Sequence, residues 1–250
     1  MVTISVVIPS YNDACFLAAA LDALAAQLRP ADEIVVVDNG STDDTSDVAR
    51  AAGARVVVEP LRGIWPAASA GYDAASGDLI ARLDADSLPP VDWLAHIEAE
   101  FVLSPELGVL TGPGEFYDCT PLVAALGEGL YIGGYFWFMG WWLTEPPIFG
   151  SNFAMRRTVW REVRGRVHRR DGTVHDDLDL SYHLDPGVVV VYDPTLRVGI
   201  SARPFNTWSG FSRRLNWAFR TIRMHWPDES PMRRRIARRA LHSAASHSQA

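Results

Sequence analysis

The sequence predicts an α/β fold: a mostly parallel sheet with helices on both faces, followed by a C-terminal amphipathic, basic helical tail. Three observations carry this. Short, unbroken β-branched runs alternate with stretches of helical periodicity through residues 1–86, glycine, proline and polar clusters punctuate them, and 48% of the 250 residues are hydrophobic. That length and apolar content exclude a disordered tail, a collagen or a coiled-coil rod.

Ile4 to Ile8 reads as a strand buried on both faces, with Pro9 at its end. Phe16, Leu17, Ala20, Leu21, Leu24 and Leu28 then recur at helical spacing, with Asn12 or Asp13 as N-cap and Pro30 beyond the stop. Ile34 to Val37 is the second strand. Asp38-Asn39-Gly40-Ser41 is a polar turn, and Thr42 to Ala52 a short helix closed by Gly53. Val56 to Val58 and Leu79 to Leu83 are the third and fourth strands, separated by the alanine-rich, weakly helical stretch Ala67 to Ser76. This alternation predicts βαβ units with right-handed crossovers. Beyond Pro89-Pro90, residues Trp93 to Leu103 read as a helix, Gly108 to Thr111 as a strand, Gly112 to Pro121 as a loop and Val188 to Tyr192 as a last core strand. One domain over 1–203 and a tail over 204–250 are expected.

Cys15 and Cys119 share no metal-ligand or CxxC spacing, which excludes a disulfide framework and a cysteine zinc site and suits a reducing cytoplasm. Val2 to Pro9 lacks the basic flank and cleavage site of a secretory signal, so a cytoplasmic location is expected. Leu122 to Leu143 is apolar enough to resemble a membrane span, but Glu128 and five glycines interrupt it, and a buried or interfacial segment is expected instead. All 23 basic residues are arginine. Residues 1–150 hold 5 of them against 21 acids, whereas 151–250 hold 18 against 9, so the net charge of −7 conceals two opposed halves.

Ligands of open α/β sheets sit at the carboxyl ends of the strands. There the chain places Ser10-Tyr11-Asn12, Asp38-Asn39-Gly40-Ser41 and Asp84-Ala85-Asp86. Two carboxylates flanking a small residue suit a hard divalent cation that anchors phosphates, although Asp-x-Asp alone also serves as a helix-capping turn. Asp38 alone is first of all a good turn residue.

Taken together, these strand ends, with Thr111-Gly112-Pro113, Gly150-Ser151-Asn152-Phe153-Ala154-Met155-Arg156 and Asp176-Asp177-Leu178-Asp179-Leu180 downstream, resemble the family 2 glycosyltransferases of the Rossmann-like GT-A fold over residues 1 to about 203. The resemblance implies an inverting transferase that moves a sugar from a nucleotide-sugar donor to an acceptor hydroxyl. Its nucleotide-sugar half would span about 1–112 and its acceptor half about 113–203. It implies donor contacts at Pro9, Ser10, Tyr11, Asp38, Asp84 and Ala85, and Mg²⁺ or Mn²⁺ on Asp86 with Asp84. Asp177 would be the general base, with Asp176 where the family usually has glutamate. A crowd of acids around Asp177 is expected to raise its pKa, although the same acids could simply cap a helix. Gly150, Ser151 and Asn152 would border the acceptor, and Trp141 and Trp142 are the preferred stacking rings for a sugar or lipid-linked acceptor.

Two departures stand out. Ala68 and Ser69 replace an Arg-Asn pair that usually contacts the donor, leaving Arg62 as the residue expected to compensate. Ser201 stands where some members carry a metal-binding histidine, so metal affinity is expected to be weak. These departures keep a non-catalytic nucleotide-sugar-binding protein of the same fold as the alternative.

At 100° per residue, Phe211, Leu215, Ala218, Phe219, Ile222 and Trp226 fall on one face of the tail, with Arg213, Arg214, Arg220 and Arg223 outside it and Arg233, Arg234, Arg235, Arg238 and Arg239 following. Such a helix fits the anionic inner face of a cell membrane as a peripheral contact. It equally fits a helix packed on the domain with solvated arginines. Nucleic acid is not expected as a partner, because the aromatic residues follow helical periodicity and no reader motif.

Overall fold

The computed structural model describes residues 1–203, 208–226, 229–237 and 240. The strands are β1 (Ile4–Ser10), β2 (Glu33–Asp38), β3 (Arg55–Val58), β4 (Leu79–Arg82), β5 (Leu107–Thr111), β6 (Gly114–Phe116), β7 (Phe153–Arg156), β8 (Val189–Tyr192) and β9 (Val198–Ile200). Seven form one sheet in the order β3-β2-β1-β4-β7-β5-β8, and β6 pairs with β9 in a separate two-stranded sheet. Only β7 runs antiparallel to its neighbours β4 and β5. The mostly parallel α/β architecture expected from the sequence is therefore present.

Alternation along the buried strands creates two cores. Ile4, Val6 and Ile8 face α1 (Ala14–Ala25) and α4 (Trp93–Leu103), whereas Val7, Val35 and Val37 face α3 (Ile64–Ala74). A short α2 (Thr45–Ala51) links β2 to β3. The second face is completed by α7 (Arg157–Val163) and α8 (Asp176–His183), where Trp160 and Leu180 join Trp65 and Tyr72.

Four expectations change. The first strand continues through Pro9 to Ser10, and the weakly helical stretch begins earlier, at Ile64. The anticipated loop after residue 112 contains β6, which the sequence does not reveal because three residues show no period. Residues 121–143 form one continuous helical run: α5 (Pro121–Leu126), a π-helical stretch (Gly127–Gly133) and α6 (Gly134–Leu143). By length and composition this run could cross a membrane, yet little of it is buried in the protein, and Leu122, Leu130 and Trp137 are more than 70% exposed. The buried reading of this segment is thus overturned.

The tail helix α9 spans Trp208–His225, and residues 231–237 are helical. Ala218 and Ile222 rest against Leu178 and Tyr182 of α8 and Met139 and Leu143 of α6, while Leu215, Phe219 and Trp226 stay exposed. One apolar face therefore divides between domain packing and solvent. Arg238, Arg239 and the side chains of Phe211 and Arg213 lie outside the described residues.

Helix α3 lies so close to the sheet at Gly71 that an added Cβ would stand 2.3 Å from Val7 Cγ1 and 2.9 Å from Val37 Cγ2. Both valines belong to central strands and cannot withdraw. Gly71→Ala is expected to cost about 1–3 kcal/mol through overpacking despite alanine's better helix propensity, read as a lower midpoint in urea unfolding. A gain in stability would show that α3 can shift.

Candidate active site

β1 lies between β2 and β4, so the sheet reverses direction of growth at the β1–β4 junction and opens a crevice at the strand ends. Two adjoining hollows occupy it, of about 370 and 210 Å³, and both are bordered by Asp84, Asp86, Ile64 and Arg214. A wider depression of about 740 Å³ lined by residues 164–172 lies elsewhere and brings together no comparable set of acids.

The larger of the two crevice hollows collects Pro9, Ser10, Tyr11, Arg62 and Ala85. Arg62 lies over the Tyr11 ring at 3.1 Å from its centroid, giving a flat aromatic surface with a cation attached. Ser10 Oγ is buried and has no hydrogen-bond partner, leaving it available to a ligand. Asn39, which the sequence marks only as part of the turn after β2, shapes this wall: its amide donates to the carbonyls of Glu59 and Leu61 and accepts from Gly63 N–H. Asp38 does not line either hollow. Its carboxylate accepts from Ser41 N–H and Ser46 Oγ; burial pushes its pKa up, but these bonds outweigh burial and hold it down. Ala68 and Ser69 are buried within α3.

At the end of β4, Asp84 accepts from Arg82 Nη2 at 3.0 Å and from Ser151 Oγ at 2.6 Å. Asp86 faces Arg203, whose guanidinium reaches Asp86 Oδ2 at 2.7 Å, Asp13 at 2.9 Å and the Phe16 ring. Burial, then the charge of Asp84, raises the Asp86 pKa against the pull of Arg203. Two hard carboxylates in a half-buried site that favours neutralisation fit a divalent cation, and Arg203 supplies that positive charge in this structure. Ser201 donates to Asp118, so its hydroxyl is already engaged.

The smaller hollow adds the acids of α8. Asp176 forms an ion pair with Arg82, which is 2% exposed and also bonds Asp84. The sequence signal for Arg82 is a charged residue interrupting the apolar run Leu79 to Leu83. Asp177 accepts from His175 Nδ1 and, at 2.8 Å, from Gly150 N–H. Burial raises its pKa, but the His175 charge and these hydrogen bonds prevail and lower it; burial and the Asp177 charge raise that of Asp176 instead. The expectation of a raised Asp177 is corrected, because the sequence could not show His175 and Gly150 closing on it. His175, half-buried and facing the Asp177 carboxylate, has a raised pKa, desolvation being outweighed by the Asp177 charge.

Three acceptor-side assignments also change. Asn152 is fully buried, accepting from Trp93 Nε1 and donating to the carbonyls of Pro113 and Leu196, so it braces the turn from behind the cleft. Trp141 and Trp142 do not line the smaller hollow: Trp141 lies beside Arg235 and Trp142 against Trp226. The rings bordering it are Phe116, Tyr131, Phe149 and Trp217, while Gly150 and Ser151 do stand in its wall.

The His175–Asp177 pair has a definite pH signature. A histidine raised above its ordinary 6.5 stabilises the fold below that value and loses the contribution as pH rises through its folded pKa. Asp177→Asn is therefore expected to lower the thermal midpoint more at about pH 6 than at about pH 9. An equal loss at both would mean that the pair is not ionic.

A sequence model of glycosyl transferase family 2 matches residues 5–163. An uncharacterised glycosyltransferase of Mycobacterium bovis is 42% identical over 97 residues, covering 39% of this chain and 43% of that protein. A PGL/p-HBAD biosynthesis glycosyltransferase from the BCG strain of the same organism is 38% identical over 102 residues, covering 38% and 40%. The chain thus matches about two fifths of the length of these curated relatives. Among solved structures, a mannosyltransferase from Pyrobaculum calidifontis in complex with GDP-Man and Mn²⁺ superposes with TM-score 0.64 at 21% identity, over 88% of this chain and 64% of that one. A glucosyl-3-phosphoglycerate synthase from Mycobacterium tuberculosis, in complex with Mn²⁺, UDP and phosphoglyceric acid, gives 0.56 at 22% over 85% and 75%. These likenesses establish the fold. With the family pattern matched over more than half its length, the chain belongs to glycosyltransferase family 2.

Proposed function

We propose that the chain transfers a sugar from a nucleotide-sugar donor to an acceptor hydroxyl with inversion, and that Asp177 is the general base. The observation that carries this is the meeting of two acid groups in one crevice, Asp84 and Asp86 at the end of β4 and Asp176 and Asp177 at the start of α8, joined through Arg82. The Tyr11–Arg62 surface would receive the nucleotide, placing its diphosphate toward Asp84 and Asp86. Asp86 with Asp84 would hold Mg²⁺ or Mn²⁺, which supplies positive charge to the departing diphosphate when bound. On the other side, the acceptor oxygen attacks the anomeric carbon as the bond to the diphosphate oxygen breaks, and its proton passes to Asp177. His175 and Gly150 N–H keep that carboxylate ionised and aimed. No covalent intermediate with the enzyme is needed.

The acceptor reading is a sugar or lipid-linked hydroxyl presented at the inner face of a membrane. What supports it is the exposed apolar surface of residues 121–143 beside the end of the tail, where Trp226 meets Trp142 and Arg235 meets Trp141, with Met232 and Ile236 exposed nearby. Rings that sequence reasoning assigned to acceptor stacking would then anchor the protein instead.

A panel of UDP-, GDP- and dTDP-sugars, each with Mn²⁺ or a chelator, is expected to yield one donor that raises the melting temperature in a metal-dependent way. Asp177→Asn is expected to lower turnover with that donor by roughly 100- to 10,000-fold while leaving nucleotide binding in place. Binding by the unaltered protein without turnover across a broad acceptor panel would favour the non-catalytic alternative, to which the full internal bonding of Asp177 lends support.

For the membrane reading, the protein is expected to sediment with vesicles containing anionic phosphatidylglycerol and much less with neutral phosphatidylcholine. Replacing Leu130 and Trp137 by aspartate should release it. Unchanged sedimentation of that variant would exclude this surface as the anchor.

A further inference from the structure

Outside the two hollows of the crevice, three histidines converge on one carboxylate of α8. We propose that His168, Asp179, His183 and His225 form a tetrahedral zinc site that ties α9 and the segment between α7 and α8 to the catalytic helix.

Asp179 has no solvent exposure, and the nitrogens His168 Nδ1, His225 Nε2 and His183 Nδ1 lie 2.9, 3.2 and 3.5 Å from its Oδ1. A tetrahedral ion with ligands at about 2.0–2.1 Å requires ligand-to-ligand separations of about 3.3 Å, so these atoms already stand near the corners of such a site. The imidazole rings surround one point, with centroids 5.0 to 5.5 Å apart.

His225 points to the ligand. It is 7% exposed, and its Nδ1 donates to the Thr221 carbonyl at 2.8 Å, which in the neutral ring leaves a lone pair on Nε2. That Nε2 is buried 3.2 Å from Asp179 Oδ1 without a well-formed hydrogen bond. A lone pair facing a carboxylate oxygen is repelled unless a proton or a metal cation lies between them, and the convergence of two further imidazole nitrogens on the same oxygen favours the metal. A metal-bound histidine characteristically gives its other ring N–H to a backbone carbonyl, as His225 does here.

The remaining shell is built the same way. Asp179 Oδ2 accepts from Trp65 Nε1 and His168 N–H, each at 2.8 Å, which leaves Oδ1 to face the histidines. The Tyr182 ring stacks on His225 at 4.3 Å and 7°, fixing its plane. His183 Nδ1 now bonds the Asp179 carbonyl at 2.8 Å and would exchange that bond for the ion. Borderline imidazole ligands with a single carboxylate select zinc over Mg²⁺ or Mn²⁺. His168 also lines the open depression of residues 164–172, which gives an ion its entry path.

The test uses the full chain after chelator treatment, titrated with Co²⁺ as a spectroscopic stand-in and with Zn²⁺ in the absence of any nucleotide. One equivalent of Co²⁺ is expected to give the intense visible bands of a tetrahedral ion, bleached by Zn²⁺, and Zn²⁺ should raise the melting temperature by about 5 °C where Mg²⁺ and Mn²⁺ do not. His225→Ala and His168→Ala should each weaken binding at least tenfold. His168 is partly exposed in a loop, so its variant is expected to keep the apo fold, checked by the metal-free melting temperature. Asp86→Asn should leave the Co²⁺ spectrum unchanged, which separates this site from the donor crevice. Absence of the tetrahedral bands in the unaltered chain, or their persistence in a folded His168→Ala protein, would overturn the proposal.

Discussion

A buried guanidinium organises the crevice. Arg82, at the end of β4, is held between Asp84 and Asp176, with Tyr72 behind it. Taking such a charge out of water costs several kcal/mol unless it is paired, so the fold requires carboxylates on both sides of it. This constraint connects segments 94 residues apart in sequence. It holds the start of α8 against the end of β4, and α8 in turn presents Asp177 to Gly150. The acids at the end of β4 and at the start of α8 are therefore positioned by one cation, and the geometry of the crevice follows from its burial.

The inserted antiparallel strand makes this possible. β7 pairs Phe153 with Arg82 and Thr111, which carries the 150–152 turn to the edge where Asp84 and Asp177 stand. Ser151 then reaches Asp84 and Gly150 reaches Asp177, while Asn152 points away and fastens the turn to the strand ends behind it. Three adjacent residues thus have distinct tasks. The Gly150 N–H and the Ser151 hydroxyl face the cleft while the Asn152 amide faces the core, which is why a motif assigned as a block to the acceptor splits once the backbone is known.

The legible parts of the sequence were those governed by burial. β1 and β2 show themselves as β-branched runs because both of their faces are largely covered, and the ligand edge follows from where those runs stop. β6, β7 and β9 are three or four residues long, too short to display a period, and their pairing depends on contacts distant in sequence. Apolarity likewise identified residues 121–143 as special without saying what covers them, since a buried helix and an exposed one can share a composition. The charge state of Asp177 was illegible for a related reason. The acids crowding it are neighbours in sequence, whereas Gly150, which helps to oppose them, comes from 27 residues away.

The electrical division of the chain has a structural counterpart. The arginine-rich half returns to the acidic half: Arg203 neutralises Asp13 and Asp86, and Arg234 is buried against Glu145 while bonding the carbonyls of Leu143 and Tyr182. Planar, multidentate guanidinium groups suit such junctions better than point-charged ammonium groups. Helix α9 continues the same closure toward the crevice. Its Arg214 and Trp217 border the crevice, and Thr221 accepts from the backbone N–H of His175, the residue that holds Asp177. A displacement of α9 would thus disturb His175 before it reached the acids themselves. An element that the sequence presents as an appendage is in this way a wall of the crevice, so whatever docks on its exposed face acts next to the residues that orient Asp177.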